Sequence, residues 1–148
     1  MTGRPVRYLV LSHWHNDHIR GAQEFPQSSI ITTVRTRELI AELEPKEIAG
    51  EKRVVDSRIE LEKKRLGEEA DPERRRERLF WVSYYEAMKR SHPQLRLTLP
   101  NVTFEHRMII EGTARRVVLL EHRGHTGSDA IAYLPAERIA FLGDLHFV

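Results

Sequence analysis

Short apolar runs separated by polar turns mark both ends of the chain and predict β-strands there. Residues 8–11 are apolar and rich in strand-forming side chains, and residues 29–34 are mostly apolar or β-branched. Towards the C-terminus the same pattern predicts strands around Val102 and Phe104 and over residues 108–110, 116–120, 130–134 and 139–142. Both ends of the chain are therefore predicted to be β-rich.

The segment between these regions has a helical pattern. Thr36 stands where it could cap a short helix that runs through Leu43 and that Pro45 is expected to end. Residues 46–90 are then dense in charged side chains. They keep one narrow apolar stripe at helical spacing, formed by Ile48, Val55, Ile59 and Leu66.

A second helix is predicted to begin at Asp71, because Pro72 and Glu73 are typical of a first helical turn. Its period places Phe80, Tyr84 and Ala87 on one face, and His92-Pro93 is expected to end it. The pattern thus predicts a charged helical hairpin, at about residues 46–92, inserted between two β-rich halves. Covering a site, forming a homodimer contact and simply being solvated are the alternatives for its role.

The composition is that of one globular domain. The 148 residues are 40% hydrophobic and 31% charged, which allows a buried core and is unlike a disordered chain. The net charge of +2 is only a weak argument for nucleic-acid binding, which we do not expect. The expected partner is a small-molecule substrate. No long apolar stretch occurs, and residues 1–7 lack an apolar leader run. We therefore expect a cytoplasmic protein without a membrane partner, unless a signal peptide precedes the given sequence.

A cluster of polar residues follows the first predicted strand. His13, His15, Asp17 and His18 lie within six positions, and their side chains would compete for polar partners in one loop. A bound cation resolves that competition, and without cysteine in the chain its ligands must be His, Asp or Glu. Imidazole and carboxylate suit zinc, iron or manganese. An extended loop would point His13 and His15 the same way, leaving Asp17 and His18 for a neighbouring site.

Two later segments share this design, since each is a strand that feeds a polar turn. One contains Gly124-His125-Thr126 and the other Gly143-Asp144. Glycine allows the backbone to pass close to a metal site. Either segment alone would also fit an ordinary turn, so their meaning depends on their order and on the histidine cluster upstream.

The three motifs together resemble the metallo-β-lactamase superfamily. Residues 13–18 match its HxHxDH signature, and Gly124-His125-Thr126 and Gly143-Asp144 follow in the family's order. The resemblance covers nearly the whole chain apart from the helical insert. It implies an α/β fold, an αββα sandwich of the metallo-β-lactamase type, with the charged hairpin inserted into it.

The resemblance also implies a site for two zinc ions per complete domain, with iron and manganese as the other metals these ligands accept. His13, His15 and His125 would hold the first metal, Asp17 and His18 the second, and Asp144 would bridge them. Paired cations share a hydroxide, lower its pKa towards about 7 and polarise a substrate oxygen. The metal-bound hydroxide would attack the substrate, and Asp17 would be the catalytic residue that orients it and takes a proton.

Two departures from the family pattern predict that residues 1–148 are a single but incomplete domain. The family's fold starts with strands upstream of the signature, whereas here the signature begins at His13. The family also supplies a late second-site histidine, and His146 is too close to Asp144 to match it. Six of seven expected ligands are therefore present.

The expected activity is a metal-dependent hydrolase acting on an ester, thioester, lactone, lactam or phosphoester. One alternative is an iron-dependent oxidoreductase on the same ligands, resembling sulfur dioxygenases or flavodiiron proteins. The other is a non-catalytic metal-binding or nucleic-acid-binding remnant. The remaining histidines His92, His106 and His122 are not expected to be ligands, and Trp14 is expected to pack as a wall of the site.

Overall fold

The computed structural model describes residues 5–146; residues 1–4, part of the segment without an apolar leader, lie outside the described residues. The chain divides into two compact units, one within Met1–Glu44 and Arg96–Val148 and the other Pro45–Leu95. In the described residues, none of the helices combines the length and apolar character that a membrane crossing requires.

The first unit contains a three-stranded parallel sheet in the order β1-β2-β3. Its strands are β1 (Tyr8–Val10), β2 (Ser29–Thr33) and β3 (Val102–Phe104). Tyr8 pairs with Ser29, and Ile31 pairs with Val102. Strand β2 is buried along most of its length because both of its faces are covered, as is usual for a central parallel strand.

The same unit contains a four-stranded antiparallel sheet in the order β4-β5-β6-β7. Its strands are β4 (Arg107–Glu111), β5 (Arg116–His122), β6 (Asp129–Leu134) and β7 (Ile139–Phe141). All the strands predicted from the apolar runs are present, within a residue or two of the predicted ends.

Two apolar clusters cover the two faces of β2. The first contains Leu11, Ile19, Ala22, Ile30 and Ile40 and joins the parallel sheet to helical residues. The second contains Ile31, Phe104, Leu119 and Ala130 and joins the two sheets to each other. Since Ile30 and Ile31 are neighbours in a strand, their side chains point to opposite faces. The result is a mixed α/β unit with two sheets, as predicted.

Helix α1 covers Asn16–Ile19, α2 covers Val34–Glu68 and α3 covers Pro72–Ser91, with short 3-10 turns at Arg20–Glu24, His92–Gln94 and Gly143–Leu145. The prediction that Pro45 ends a short helix is wrong, because α2 continues through it. Proline removes one backbone donor and crowds the carbonyl of residue i−4. In a helix of 35 residues, the backbone hydrogen bonds before and after Pro45 keep the helix continuous.

The predicted cap of this helix is also displaced. Thr33, rather than Thr36, occupies the capping position, and its Oγ1 accepts a hydrogen bond from the backbone N–H of Thr36 at 3.1 Å. Thr36 is buried and donates its hydroxyl to the carbonyl of Ser128 at 2.6 Å. The helix therefore begins directly where β2 ends, and the backbone carbonyl of Ser128 is tied to that junction.

We expect Thr33→Val to lower the free energy of unfolding by about 1–2 kcal/mol, the usual cost of a lost N-cap and of one hydroxyl contact. Valine keeps the shape and the strand preference but removes the oxygen that caps α2 and contacts Ser128. Urea unfolding followed by circular dichroism measures the change. Thr103→Val, at an exposed position of β3, is the matched control, and equal destabilisation of both variants would contradict the capping role.

The second unit has the helical character that its charge pattern predicts. Val55 and Ile59 of the predicted stripe are buried, and Glu62 is buried on the same side, with Arg65 at 2.8 Å and Arg78 at 3.3 Å. Asp71 caps α3 by accepting hydrogen bonds from the backbone N–H groups of Glu73 and Arg74, at the position where the sequence predicts the start of the helix.

The face of α3 that carries Phe80, Tyr84 and Ala87 is exposed. Phe80 is 60% exposed and Tyr84 is 43% exposed, whereas Val82 is buried. The three aromatic side chains Phe80, Trp81 and Tyr84 contact one another along the helix. Helical spacing groups residues on a face but does not say which face a neighbouring element covers, and here the smaller side chain lies inward.

Candidate metal centre

The loop that carries the signature residues 13–18, here called the signature loop, leaves the parallel sheet shortly after β1. The backbone N–H of Leu11 still donates to the carbonyl of Ile31 at 2.9 Å. His15 is the extended residue that precedes α1, and the N–H of His18 closes the first turn on its carbonyl at 3.0 Å. The abrupt change from strand to helix presents His13 and His15 on the loop and Asp17 and His18 on the first helical turn.

Four of the six predicted ligands converge. Ligand atoms of His13, His15, His125 and Asp144 all lie within 4.8 Å of one another. Nδ1 of His15 is 3.0 Å from Nε2 of His13 and 3.0 Å from Nε2 of His125. Three imidazole nitrogens from two distant parts of the chain therefore face one point.

These ring contacts fit a cation better than hydrogen bonds alone. A neutral imidazole has one protonated nitrogen and one acceptor nitrogen, and the single lone pair of His15 Nδ1 faces two other ring nitrogens. A cation at the centre would accept all three lone pairs at once. Three nitrogens and a carboxylate form a donor set that zinc and iron both accept.

The environment favours the neutral form of His13, which is the form that binds a metal. Its side chain is fully buried. Burial, followed by the neighbouring rings of His18 and His15, lowers the pKa of His13 to about 4 from its ordinary value of 6.5, against a smaller opposing effect of Asp144. His13 is therefore uncharged at neutral pH.

The two carboxylate oxygens of Asp144 face different histidines. Oδ2 lies 3.9 Å from Nε2 of His13 and 3.7 Å from Nε2 of His125, whereas Oδ1 lies 3.2 Å from Nε2 of His18. Asp17 is at the outer edge of the group, with its side chain 73% exposed and Oδ2 3.4 Å from Nε2 of His18. His18 is thus joined to the four converging residues through Asp144, and Asp17 is joined to them through His18.

Two local structures hold the distal ligands in place. Asp129 is buried, and its carboxylate accepts hydrogen bonds from the backbone N–H of Thr126 at 2.9 Å and from its hydroxyl at 3.0 Å, which fixes the turn after His125. Gly143 has a φ of 56°, a conformation that favours glycine. A Cβ at this position would also lie 2.7 Å from the Cβ of Ser12, so glycine allows Asp144 to approach the signature loop.

Sequence reasoning missed the contacts that Ser12, Ser128 and Asp129 make near the predicted ligands. The partners of Ser12 and Asp129 are close to them in the chain, whereas Ser128 contacts Thr33 in a distant segment. Ser128 is fully buried, with its Oγ 2.6 Å from Oγ1 of Thr33 and 2.8 Å from Oε1 of Glu121. The one signal available was the presence of short polar side chains at the ends of otherwise apolar strands.

The hydrogen bonds of Ser128 include one to Glu121, a carboxylate whose charge depends on pH. The backbone N–H of His106, followed by the hydroxyl of Ser128, lowers the pKa of Glu121 below its ordinary value of 4.5. A carboxylate with a lower pKa in the folded state contributes stability above its unfolded pKa and loses it as the pH falls. We expect Glu121→Gln to be less stable than the wild type at pH 7 and to approach it below pH 4.5.

Urea unfolding at a series of pH values between neutral and acid tests this expectation. The exposed Glu105→Gln is the matched control. A stability difference between Glu121→Gln and the wild type that is unchanged from neutral to acid pH would show that the charge of Glu121 is not involved.

The histidines predicted not to be ligands are not among the four converging residues. His92 belongs to the second unit, where its Nε2 is 3.5 Å from Glu51. The His106 side chain is 94% exposed. Trp14 is partly buried, packs against the first apolar cluster and contacts the ring of His15 edge-on at 4.5 Å. It forms a wall beside the cluster, as predicted.

A cavity of about 510 Å³ opens next to the cluster. It has polar walls at His125 and Asp144 and apolar walls at Ile131, Leu142 and Leu145. His122, which was not predicted to be a ligand, also lines it. A small molecule in this space would have its polar group beside the candidate ligands and its apolar part against the β6 side of the antiparallel sheet.

The family model of the metallo-beta-lactamase superfamily matches residues 1–148. The chain therefore belongs to this superfamily, as its three motifs predict. Members of the superfamily are mostly hydrolases and typically bind metals. Neither the comparison with curated proteins nor the comparison with solved structures finds a match.

Proposed function

We propose that this protein is a metal-dependent hydrolase with a binuclear zinc site. The observation that carries the proposal is the position of Asp144, whose two oxygens face two separate sets of histidine nitrogens. A carboxylate shared in this way is suited to bridge two cations. The neutral state of His13 supports the same conclusion. So does the position of His15 Nδ1, whose single lone pair faces two other ring nitrogens.

Each ligand has a place in this proposal. His13, His15 and His125 would hold the first cation, since their ring nitrogens converge. Asp17 and His18, which contact each other at 3.4 Å, would hold the second. Asp144 would contribute one oxygen to each. The donor set contains only nitrogen and oxygen ligands, which fits zinc and also accepts iron or manganese.

When bound, such cations acidify a water molecule and polarise the carbonyl or phosphoryl oxygen of a substrate. The protein's own residues would do the rest. Asp17, exposed at the outer edge of the cluster, would orient the attacking water and accept its proton. The cavity walls at Ile131, Leu142 and Leu145 would hold an apolar part of the substrate. The substrate class is an ester, thioester, lactone, lactam or phosphoester.

We take the two packed sheets as the inner layers of an αββα sandwich, with residues 1–148 as one domain and the helices at about 46–92 as an insert. A cytoplasmic location and a small-molecule partner stay predictions from the sequence.

Removal of metal is expected to abolish turnover reversibly. The protein as purified should hold zinc at a ratio approaching two per chain by elemental analysis, and dialysis against a chelator should remove both the zinc and any hydrolysis of chromogenic esters, lactones, lactams and phosphodiesters. Readdition of zinc should restore both. Activity that persists in metal-free protein would refute the proposal.

Iron is the competing metal, because the same nitrogen and oxygen donors accept it. The alternative function with iron is redox chemistry. Elemental analysis, with a visible or electron paramagnetic resonance signal, identifies the metal, and assays for hydrolysis and for oxidation separate the two functions. Zinc bound at full ratio without hydrolysis of any probe would instead favour a non-catalytic metal-binding protein.

A further inference from the structure

The hydroxyl of Ser12 lies between two of the candidate ligands. Its Oγ is 3.1 Å from Nδ1 of His13 and 3.4 Å from Nδ1 of His18. The other nitrogen of each ring points the opposite way, towards Asp144, with His13 Nε2 3.9 Å from Oδ2 and His18 Nε2 3.2 Å from Oδ1. Both rings therefore have their Nδ1 on the side of Ser12 and their Nε2 on the side of Asp144.

This orientation determines which proton each ring should carry. A neutral imidazole that offers Nε2 to a metal keeps its proton on Nδ1. Two Nδ1–H groups then face one serine oxygen, which has two lone pairs and accepts one hydrogen bond from each ring. The hydroxyl proton of Ser12 is not needed for either contact, so one side chain satisfies both rings at once.

We propose that Ser12 is a positioning residue for both metal sites. By accepting Nδ1–H from His13 and from His18, it fixes the tautomer and the orientation of one ligand in each set. The inference rests on the proposed function, since it assigns His13 to the first cation and His18 to the second. Like Asp144, Ser12 contacts a ligand ring of each set.

The backbone around Ser12 holds this hydroxyl in position from two directions. The carbonyl of Ser12 accepts a hydrogen bond from the N–H of Ala130 at 2.6 Å, which ties it to the start of β6. Gly143 passes so close that an added Cβ would lie 2.8 Å from Oγ of Ser12. The residue that aligns the rings is therefore fixed by the same chain segments that carry His125 and Asp144.

The test is zinc binding by metal-free Ser12→Ala, measured by isothermal titration. Loss of a hydrogen bond to a metal-binding histidine typically weakens binding about 10- to 100-fold. We expect both zinc sites to weaken in this range, because each set loses its support. In zinc-loaded wild type, long-range ¹H–¹⁵N spectra of the imidazoles should show Nδ1–H on His13 and His18.

Thr32→Val is the matched control. Thr32 is buried, and its hydroxyl donates to the carbonyl of Leu11 at 2.9 Å, next to Ser12 but away from the rings. It should lose folding stability in urea while it keeps the zinc affinities of the wild type. A general loosening of this loop would instead weaken zinc binding in both variants and would overturn the role of Ser12.

The outcomes separate this inference from the proposed function. Wild-type protein that binds no zinc contradicts both. Two zinc sites in the wild type with unchanged affinities in Ser12→Ala contradict the role of Ser12 alone, as does a proton on Nε2 of His13 or His18 in the zinc-loaded protein. Weakening at one site alone overturns the claim that the hydroxyl serves both.

Discussion

Asp144→Ala is expected to lose nearly all hydrolytic turnover and to bind zinc at well below two ions per chain. The reason is the double role of this carboxylate, which faces His13 and His125 with one oxygen and His18 with the other. Metal ions contribute several kcal/mol to transition-state stabilisation. A loss of about 4 kcal/mol corresponds to about a thousandfold lower kcat/KM.

Zinc analysis and steady-state kinetics on the same preparation measure both effects. Asp56→Ala is the matched control, since this aspartate is 66% exposed and pairs with Lys89 in the second unit. It should keep the wild-type zinc content and turnover. An Asp144→Ala protein with two zinc ions and normal kcat would show that the cluster is not the catalytic site.

His15→Ala is expected to have an effect of similar size but a different metal pattern. Nδ1 of His15 is the nitrogen that both His13 and His125 approach at 3.0 Å. Its removal leaves the first set with two ring nitrogens and one oxygen of the shared Asp144, so the first cation should bind much more weakly, while the ligands Asp17, His18 and Asp144 of the second stay intact. We expect turnover to fall about a thousandfold, because the first cation loses the imidazole on which its other two rings converge.

His92→Ala is the comparison for this variant. His92 is also buried, but it lies in the second unit near Glu51. Its substitution should lower stability through the empty space it leaves, with zinc content and kcat/KM unchanged. Equal losses of activity in Asp144→Ala, His15→Ala and His92→Ala would undo the assignment of the site.

The sequence predicts those parts of the molecule that depend on local pattern. The apolar runs give the strands, since alternation and burial are readable over a few residues. The cluster at residues 13–18 is predicted because four polar side chains so close together have no role in a strand or helix. The match of the superfamily model is likewise expected from the three motifs and their order.

The errors arise where a local signal competes with the rest of the molecule. Pro45 is a helix-breaking signal, yet the long hydrogen-bonded helix around it does not end. Thr36 is a good cap by type, but Thr33 takes that place because β2 ends there. The exposure of Phe80 and Tyr84 depends on which side of α3 is covered, and periodicity alone does not give this.

The contact of Ser12 with two rings could not be predicted from residues 12–18 alone. It requires the positions of Ala130 and Gly143, which lie more than a hundred residues further along the chain. The same is true of the pairing between Ser128 and Glu121, which brings the loop after His125 against β5. Contacts that depend on distant segments of the chain are known only from the folded structure.

His15 and His125 are 110 positions apart in the chain, yet their rings are in direct contact. In the unfolded polypeptide these groups are dispersed, so high-affinity metal binding belongs to the native state alone. Any zinc that binds there adds its free energy of binding to the folding equilibrium. The melting temperature of this protein should therefore rise with the concentration of free zinc and fall in a chelating buffer, even when no substrate is present.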